Sequence, residues 1–349
     1  MKRAICIIMS ITMIVMTFSG CGSSLPSANS DKLKIVTTIF PQYDWVRKII
    51  GENAEHVELT LLLDNGVDLH SYQPTTDDII TISNCDMLIY VGGTSDAWIE
   101  NALKTASNQD MVVIKLLDVL GSAVKDEEIK EGMEHEHDEH AHEDDEDHEH
   151  EGDENHEHEN EGDEREEEVD EHVWLSIRNA QMACAYIADQ LCKLEPENAE
   201  VYEKNVLAYL SWLGVLNGEY ENVIDAAATK TLLFGGRFPF RYLTDDYGLD
   251  YYAAFAGCSA ETEASFETIV FLAEKVDELG LEHVMITDEP DRSIAQTIIE
   301  STKDKNQGIL MLNSMQSVTA SDVSSGVTYH SIMTHNLDVL VEALGVKVN

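Results

Sequence analysis

Residues 196–227 read PENAEVYEKNVLAYLSWLGVLNGEYENVIDAA. They belong to a helical region that begins near Asn179, pauses at Glu195-Pro196-Glu197-Asn198 and resumes from Ala199 to about Ala227. The second stretch is predicted as one helix of ~28 residues, roughly 42 Å long at 1.5 Å per residue. A helix of that length inside a globular chain is expected to bridge two lobes. The chain has 349 residues, enough for two domains, and is 43% hydrophobic, enough for a sizeable core.

The same alternation flanks this helix on both sides. Upstream, LKIVTTI (33–39), VELTLLL (57–63), MLIYV (87–91) and MVVIKL (111–116) are short, β-branched or apolar runs that read as strands. Helical spacing lies between them at 43–51, 75–83 and 95–107. Thr75 or Thr76 serves as an N-cap, with two Asp in the first turn. Downstream, strands are predicted at 231–234, 251–255, 284–287 and 309–312, with helices at 242–247, 266–280, 291–302 and 329–344. Strands alternating with helices imply parallel βα units. The fold class is therefore α/β, two α/β lobes joined by one long bridging helix. The expected limits are 32–197 for the first lobe, 198–228 for the helix and 229–349 for the second lobe.

Charge is distributed unevenly. The formal net charge is -45, and residues 126–171 hold 27 Asp and Glu against only Lys130 and Arg165. Nucleic acid, which requires positive surface, is excluded as a partner. Cations are the natural partners. The acidic stretch also carries eight histidines: His135, His137, His140, His142, His148, His150, His156 and His158. Almost nothing there could form a core, so 126–168 is expected to be a disordered loop. Imidazole and carboxylate ligate divalent transition metals, and HxH pairs chelate, so weak multi-site capture of metal is expected. Zinc is favoured over manganese because imidazole is the softer ligand class. Capture there should fade below about pH 6.5, since the imidazoles must be neutral.

The start of the chain reads as an export signal. Lys2 and Arg3 precede an apolar stretch from Ala4 to Phe18, too short to span a bilayer comfortably, and then Ser19-Gly20-Cys21. This resembles a bacterial lipoprotein signal, with residues 1–20 removed and Cys21 diacylated. Phe18 departs from the usual Leu. A plain secretory signal is the rival reading. Residues 21–31 have the small, polar composition of a flexible tether. Cys85, Cys184, Cys192 and Cys258 form no CxxC pair and read as buried free thiols.

Two histidines stand in positions where chemistry is expected. His70, in GVDLHSYQP (66–74), follows a strand and precedes a helix, and open α/β sheets bind ligands at strand carboxyl ends. His172 follows the acidic stretch, beside Trp174. Either could be an ordinary surface histidine. His330 and His335 on the last helix are five apart, a poor spacing for one face, and are expected at the surface. His56 and His283 carry no motif.

Together these motifs resemble the zinc/manganese solute-binding lipoproteins of ABC importers. GVDLHSYQPTTDDI (66–79) is similar to that family's first metal-ligand loop, and DEHVWLSIRNAQMACAYIADQL (170–191) to its second. The order also agrees, running from the signal through GGTSDAW (92–98), the His-rich insert and the long helix to a Tyr247-Gly248-Leu249 segment and a final helix. The resemblance covers about residues 32–349. It implies a metal cleft between the lobes, a docking partner made of a permease and its ATPase, attachment to the membrane through the lipid anchor, and a monomer. It places metal ligands at His70 and His172. The second lobe departs from the pattern. The third ligand position, ten residues before Tyr247, holds Arg237, whose guanidinium cannot ligate a metal. The fourth falls on Asn313. Asp288, Glu289, Glu261 or Glu263, or a water, are alternatives for completing the site; otherwise Arg237 is expected to hold an anionic group that arrives with the metal, or to pair with a carboxylate as the lobes close or as a structural ion-pair residue.

The expected function is a metal receptor delivering Zn2+, with Mn2+ as the second possibility, and no catalysis. A metallohydrolase is disfavoured because no HExxH or GxSxG motif is present. A metal-buffering or adhesive lipoprotein is the remaining alternative.

Overall fold

The short apolar runs pair into two parallel sheets of identical strand order. The computed structural model describes residues 32–52, 54–133, 168–259, 263–289 and 291–347. The signal segment, tether and Cys21, the eight histidines of the insert and Glu261 lie outside the described residues.

In the first lobe, β1 (Leu33–Thr37), α1 (Phe40–Ile50), β2 (Val57–Leu61), α2 (Thr76–Ser83), β3 (Met87–Tyr90), α3 (Ala97–Lys104) and β4 (Val112–Lys115) alternate, and the sheet runs β2-β1-β3-β4. All its pairings are parallel, as fully apolar strands such as β3 require for burial on both faces. α1 starts three residues before the expected Tyr43. Pro41 suits its first turn, and Gln42 Oε1 reaches back to accept the Thr38 and Ile39 N–H groups at 3.0 and 3.3 Å. Thr75 caps α2 with Asp78 in a capping box. A short helix, α4 (Leu116–Leu120), begins at the last residue of the run read as strand and covers four residues given no element. Periodicity cannot distinguish helix from strand in so short an apolar run.

Two helices then cross the molecule: α5 (Ile177–Leu194), capped by Ser176, and α6 (Ala199–Asp225). α6 buries Tyr202, Val206, Tyr209, Leu213, Leu216, Tyr220 and Ile224, one stripe at three- and four-residue spacing. It packs on α1 at one end. At the other, the Tyr220 hydroxyl donates to the Met333 carbonyl at 2.6 Å.

The second lobe repeats the pattern: β5 (Thr231–Phe238), α7 (Arg241–Tyr247), β6 (Asp250–Ala256), α8 (Phe266–Leu279), β7 (His283–Ile286), α9 (Ser293–Ser301), β8 (Gly308–Met311), α10 (Ala320–Ser324) and α11 (Tyr329–Ala343). Its sheet runs β6-β5-β7-β8, again parallel. One apolar core runs from the first sheet through α5 and α6 into α7 and α11, and a smaller one lies between the second sheet and α8 and α9. Polar contacts weld the lobes at that seam. The Trp174 indole donates to the Ser314 carbonyl at 2.9 Å, and the Tyr329 hydroxyl to the Trp174 carbonyl at 2.8 Å. Among the described residues no helix is long and apolar enough to cross a membrane.

Candidate metal centre

The loop after β2 turns sharply at Gly66, whose φ of +75° is open to glycine and whose added Cβ would stand 3.1 Å from the Ser317 carbonyl oxygen. Asp68 then caps a single turn, its Oδ1 accepting the His70 N–H at 2.8 Å, while Leu69 is buried beneath. His172 is fixed from the other side. Val173, Trp174 and Leu175 form a buried turn, and Asp170 Oδ1 accepts both the His172 backbone N–H, at 2.8 Å, and its Nδ1–H, at 2.9 Å.

The two imidazoles meet edge to edge, with their Nε2 atoms 3.1 Å apart. Each Nδ1 is anchored behind: His172 on Asp170, and His70 on Ser95 Oγ at 2.7 Å with Glu171 Oε2 at 3.7 Å. Such backing fixes ring orientation and tautomer, as for metal-binding histidines generally. Burial and the neighbouring His172 charge lower the His70 pKa to about 4. Burial works to lower His172 as well, but Asp170, together with Asp68 and Glu171, holds that imidazole above its ordinary value. The network therefore assigns the shared proton to His172, which donates its Nε2–H to His70. Glu171 is buried, its carboxyl pushed upward by desolvation, and Ser95 N–H donates to its Oε1 at 2.9 Å.

A third donor comes from the second lobe. Cys258 follows β6, half-buried, and a ligand atom from each of His70, His172 and Cys258 lies within 4.8 Å of the other two. Its N–H donates to Glu127 Oε1 at 2.8 Å. Desolvation pushes both the Cys258 thiol and the Glu127 carboxyl upward.

Arg237 stands at the same cleft, but as an ion-pair residue. Its Nη2 donates to Asp68 Oδ2 at 3.1 Å and to Glu289 Oε1, and Gln316 joins them on Asp68. Asn313 is committed to structure. Its backbone N–H and carbonyl pair with the Asn336 side chain at 2.9 and 2.8 Å, and its Oδ1 accepts the Met315 N–H at 2.8 Å. Asp288 is likewise occupied, accepting from the backbone and hydroxyls of Ser314 and Ser317. Glu263 is exposed and outside the donor cluster.

The family model described as zinc-uptake complex component A, periplasmic (ZnuA), matches residues 35–343. The chain belongs to the ZnuA family. It is 28% identical over 333 residues to the high-affinity zinc uptake system protein ZnuA of Bacillus subtilis (strain 168), covering 94% of each. It is 25% identical over 344 residues to the zinc-binding protein AdcA of Streptococcus pyogenes serotype M6, covering 97% of this chain and 61% of AdcA. The chain thus spans about three-fifths of the length of that longer relative. Zn(II)-bound AdcA from Streptococcus pneumoniae matches in structure with a TM-score of 0.66 and 25% identity, over 90% of this chain and 58% of that one.

The other described histidines of this ZnuA-family chain lie elsewhere. His56 is bonded to Tyr202 and Asn198, His283 stands 3.6 Å from Glu342, and His335 is exposed. His330 lies against Trp212, its ring tilted by 40° with the centroids 3.2 Å apart. Cys258 is the member of the cluster that sequence reading passed over. A signal existed, because it occupies a loop at a strand's carboxyl end, the same criterion that singled out His70.

Proposed function

We propose that this chain is an extracytoplasmic receptor that captures Zn2+ between His70 and His172 and delivers it to an ABC-type permease and its ATPase. The observation that carries the reading is the pair of anchored imidazoles whose Nε2 atoms converge at 3.1 Å. Family membership supports zinc uptake as the setting. Export, acylation of Cys21, a monomeric state and the lobe limits given above belong to the same proposal. Binding and release, not catalysis, is the activity.

The His-rich insert enters this reading as a collector. The ends of the 126–168 stretch, expected as loop, are described and paired: Asp126 bridges Val169, and the Glu127 N–H donates to the Glu168 carbonyl at 2.7 Å. The insert therefore leaves and returns close to Asp170 and His172. Its histidines are proposed as weak sites feeding the cleft.

Titration calorimetry with Zn2+ and Mn2+, with and without residues 134–167, tests the assignment. That deletion spares Glu127 and Glu128, which bond to Cys258 and Arg241. One tight site is expected to survive the deletion and to vanish in His70→Ala, leaving only weak multi-site binding when the insert is present. Tight binding retained in His70→Ala sinks the cleft assignment.

A further inference from the structure

The amino-terminal lobe presents two nitrogen donors, and two protein ligands alone leave a tetrahedral ion weakly held. On the facing lobe the obvious carboxylates are spent. Asp288 is taken up by Ser314 and Ser317, and Glu289 by Arg237, which also holds Asp68 of the first lobe. Arg237 itself offers no lone pair. It lies on β5 opposite Phe255 of β6, so the next strand's end, Gly257-Cys258, opens onto the same edge of the cleft.

We propose that Cys258 is the second lobe's metal ligand, making the centre a two-histidine, one-thiolate site. The inference rests on the reading of His70 and His172 as ligands. The donors stand within 4.8 Å of one another. A tetrahedral Zn2+ with bonds of about 2.0–2.3 Å holds such atoms about 3.3–3.6 Å apart, so closing the set needs an approach of about 1.3 Å at most. Gly257 makes room for it, since a Cβ there would stand 3.1 Å from His172 Cε1 and 2.9 Å from the Phe238 carbonyl oxygen. The remaining described cysteines are elsewhere. Cys85 and Cys184 are buried in the core, and Cys192 Sγ–H faces the Ala199 carbonyl at 3.7 Å.

Coordination exchanges the S–H bond for an S–metal bond. The proton leaves to solvent by way of the adjacent Glu127 carboxylate, and no electrons change hands. Two imidazoles and a thiolate form a soft donor set. It selects Zn2+, Co2+ and Cd2+ and discriminates against Mn2+, which favours oxygen ligands. The fourth position is left to water.

Cobalt titration of the full-length chain tests this. The expected result is a near-ultraviolet thiolate-to-cobalt charge-transfer band that saturates with the first equivalent. In Cys258→Ser the band disappears, the visible ligand-field bands of histidine-bound cobalt persist, and Zn2+ affinity falls about 100-fold or more, the upper range for disturbing a ligand's surroundings. Cys192→Ser keeps the band. Cobalt bound through His70 without a charge-transfer band overturns the thiolate ligand and leaves the histidine reading standing. No His70-dependent cobalt uptake overturns both. If Cys258→Ser does not fold, alkylation mapped by mass spectrometry on the unmodified sequence decides. Zn2+ must protect Cys258 and leave Cys192 reactive, and equal labelling with and without Zn2+ overturns the proposal.

Discussion

The two lobes share one topology and differ in chemistry. Each is a four-stranded parallel sheet with the same strand order, and each brings loops from strand carboxyl ends to the cleft. The first lobe spends two of its buried acids on orienting imidazoles, Asp170 behind His172 and Glu171 beside His70. The second spends its acids on its own framework. Asp288 gathers Ser314 and Ser317, and Glu289 joins Arg237, which reaches across to Asp68 of the first lobe. Topology thus decides where donors can stand, and residue identity decides whether an edge chelates or clasps.

The largest effect expected from breaking this contrast lies in the first lobe. Asp170→Asn keeps the shape of the side chain and loses its charge. Zn2+ affinity should fall about 10–100-fold, the usual cost of removing the acceptor behind a ligating histidine. The backbone carbonyl of Asp170, which accepts from the Tyr242 hydroxyl at 2.7 Å, is untouched, so the circular-dichroism spectrum should not change. Unchanged affinity in calorimetry would mean that the carboxylate orients nothing and that the two lobes are more alike than the hydrogen bonds suggest.

The imidazole pair also makes binding sensitive to pH, and the sign follows from the two shifts. His70, lowered to about 4, is already unprotonated near neutrality. His172, held above its ordinary value by Asp170 together with Asp68 and Glu171, is the ring that takes up a proton first, and it presents that proton to the point where both Nε2 atoms converge. Metal must displace that proton. Zn2+ affinity should therefore fall about tenfold per unit as pH drops below the His172 pKa, and the loss should begin above the ordinary histidine value of about 6.5. Calorimetry of Cys258→Ser in buffers of different ionisation enthalpy should report proton release that rises towards one per Zn2+ as pH is lowered through the His172 pKa. No release would place the proton elsewhere. In the Asp170→Asn variant the onset should move to lower pH.

How much of this was legible in the sequence depends on how local each signal is. The long helix was legible because Pro196 interrupts the preceding helix and a single apolar stripe then runs from Tyr202 to Ile224. Strands such as β3 were legible because they are wholly apolar and end at paired glycines. α4 was not, because five apolar residues carry too little periodicity. His70 and His172 drew notice through loop position and motif, and the structure brings them together. The commitments of the second lobe were hidden because they are long-range. Nothing near Arg237 in the chain announces Asp68, and nothing near Cys258 announces Glu127. Asn313 illustrates the same limit, since its partner Asn336 comes from α11.

Asn313 also supplies the smallest and sharpest test of the contrast. If the second lobe's edge is framework, Asn313→Ala should cost stability and leave metal binding alone. The substitution removes one hydrogen bond, from the Met315 N–H to Asn313 Oδ1, and keeps both backbone bonds to Asn336. A single neutral bond contributes about 0.5–1.5 kcal/mol. Met315 raises the figure within that range, because its φ of 67° lies in the left-handed region that a non-glycine residue adopts only when held. For a chain of this size the melting temperature should drop by about 1–3 °C. Zn2+ affinity should stay within about twofold, because the amide oxygen is turned to Met315. A loss of affinity comparable with that of Asp170→Asn would instead make Asn313 a ligand, and the second lobe a chelating partner equal to the first.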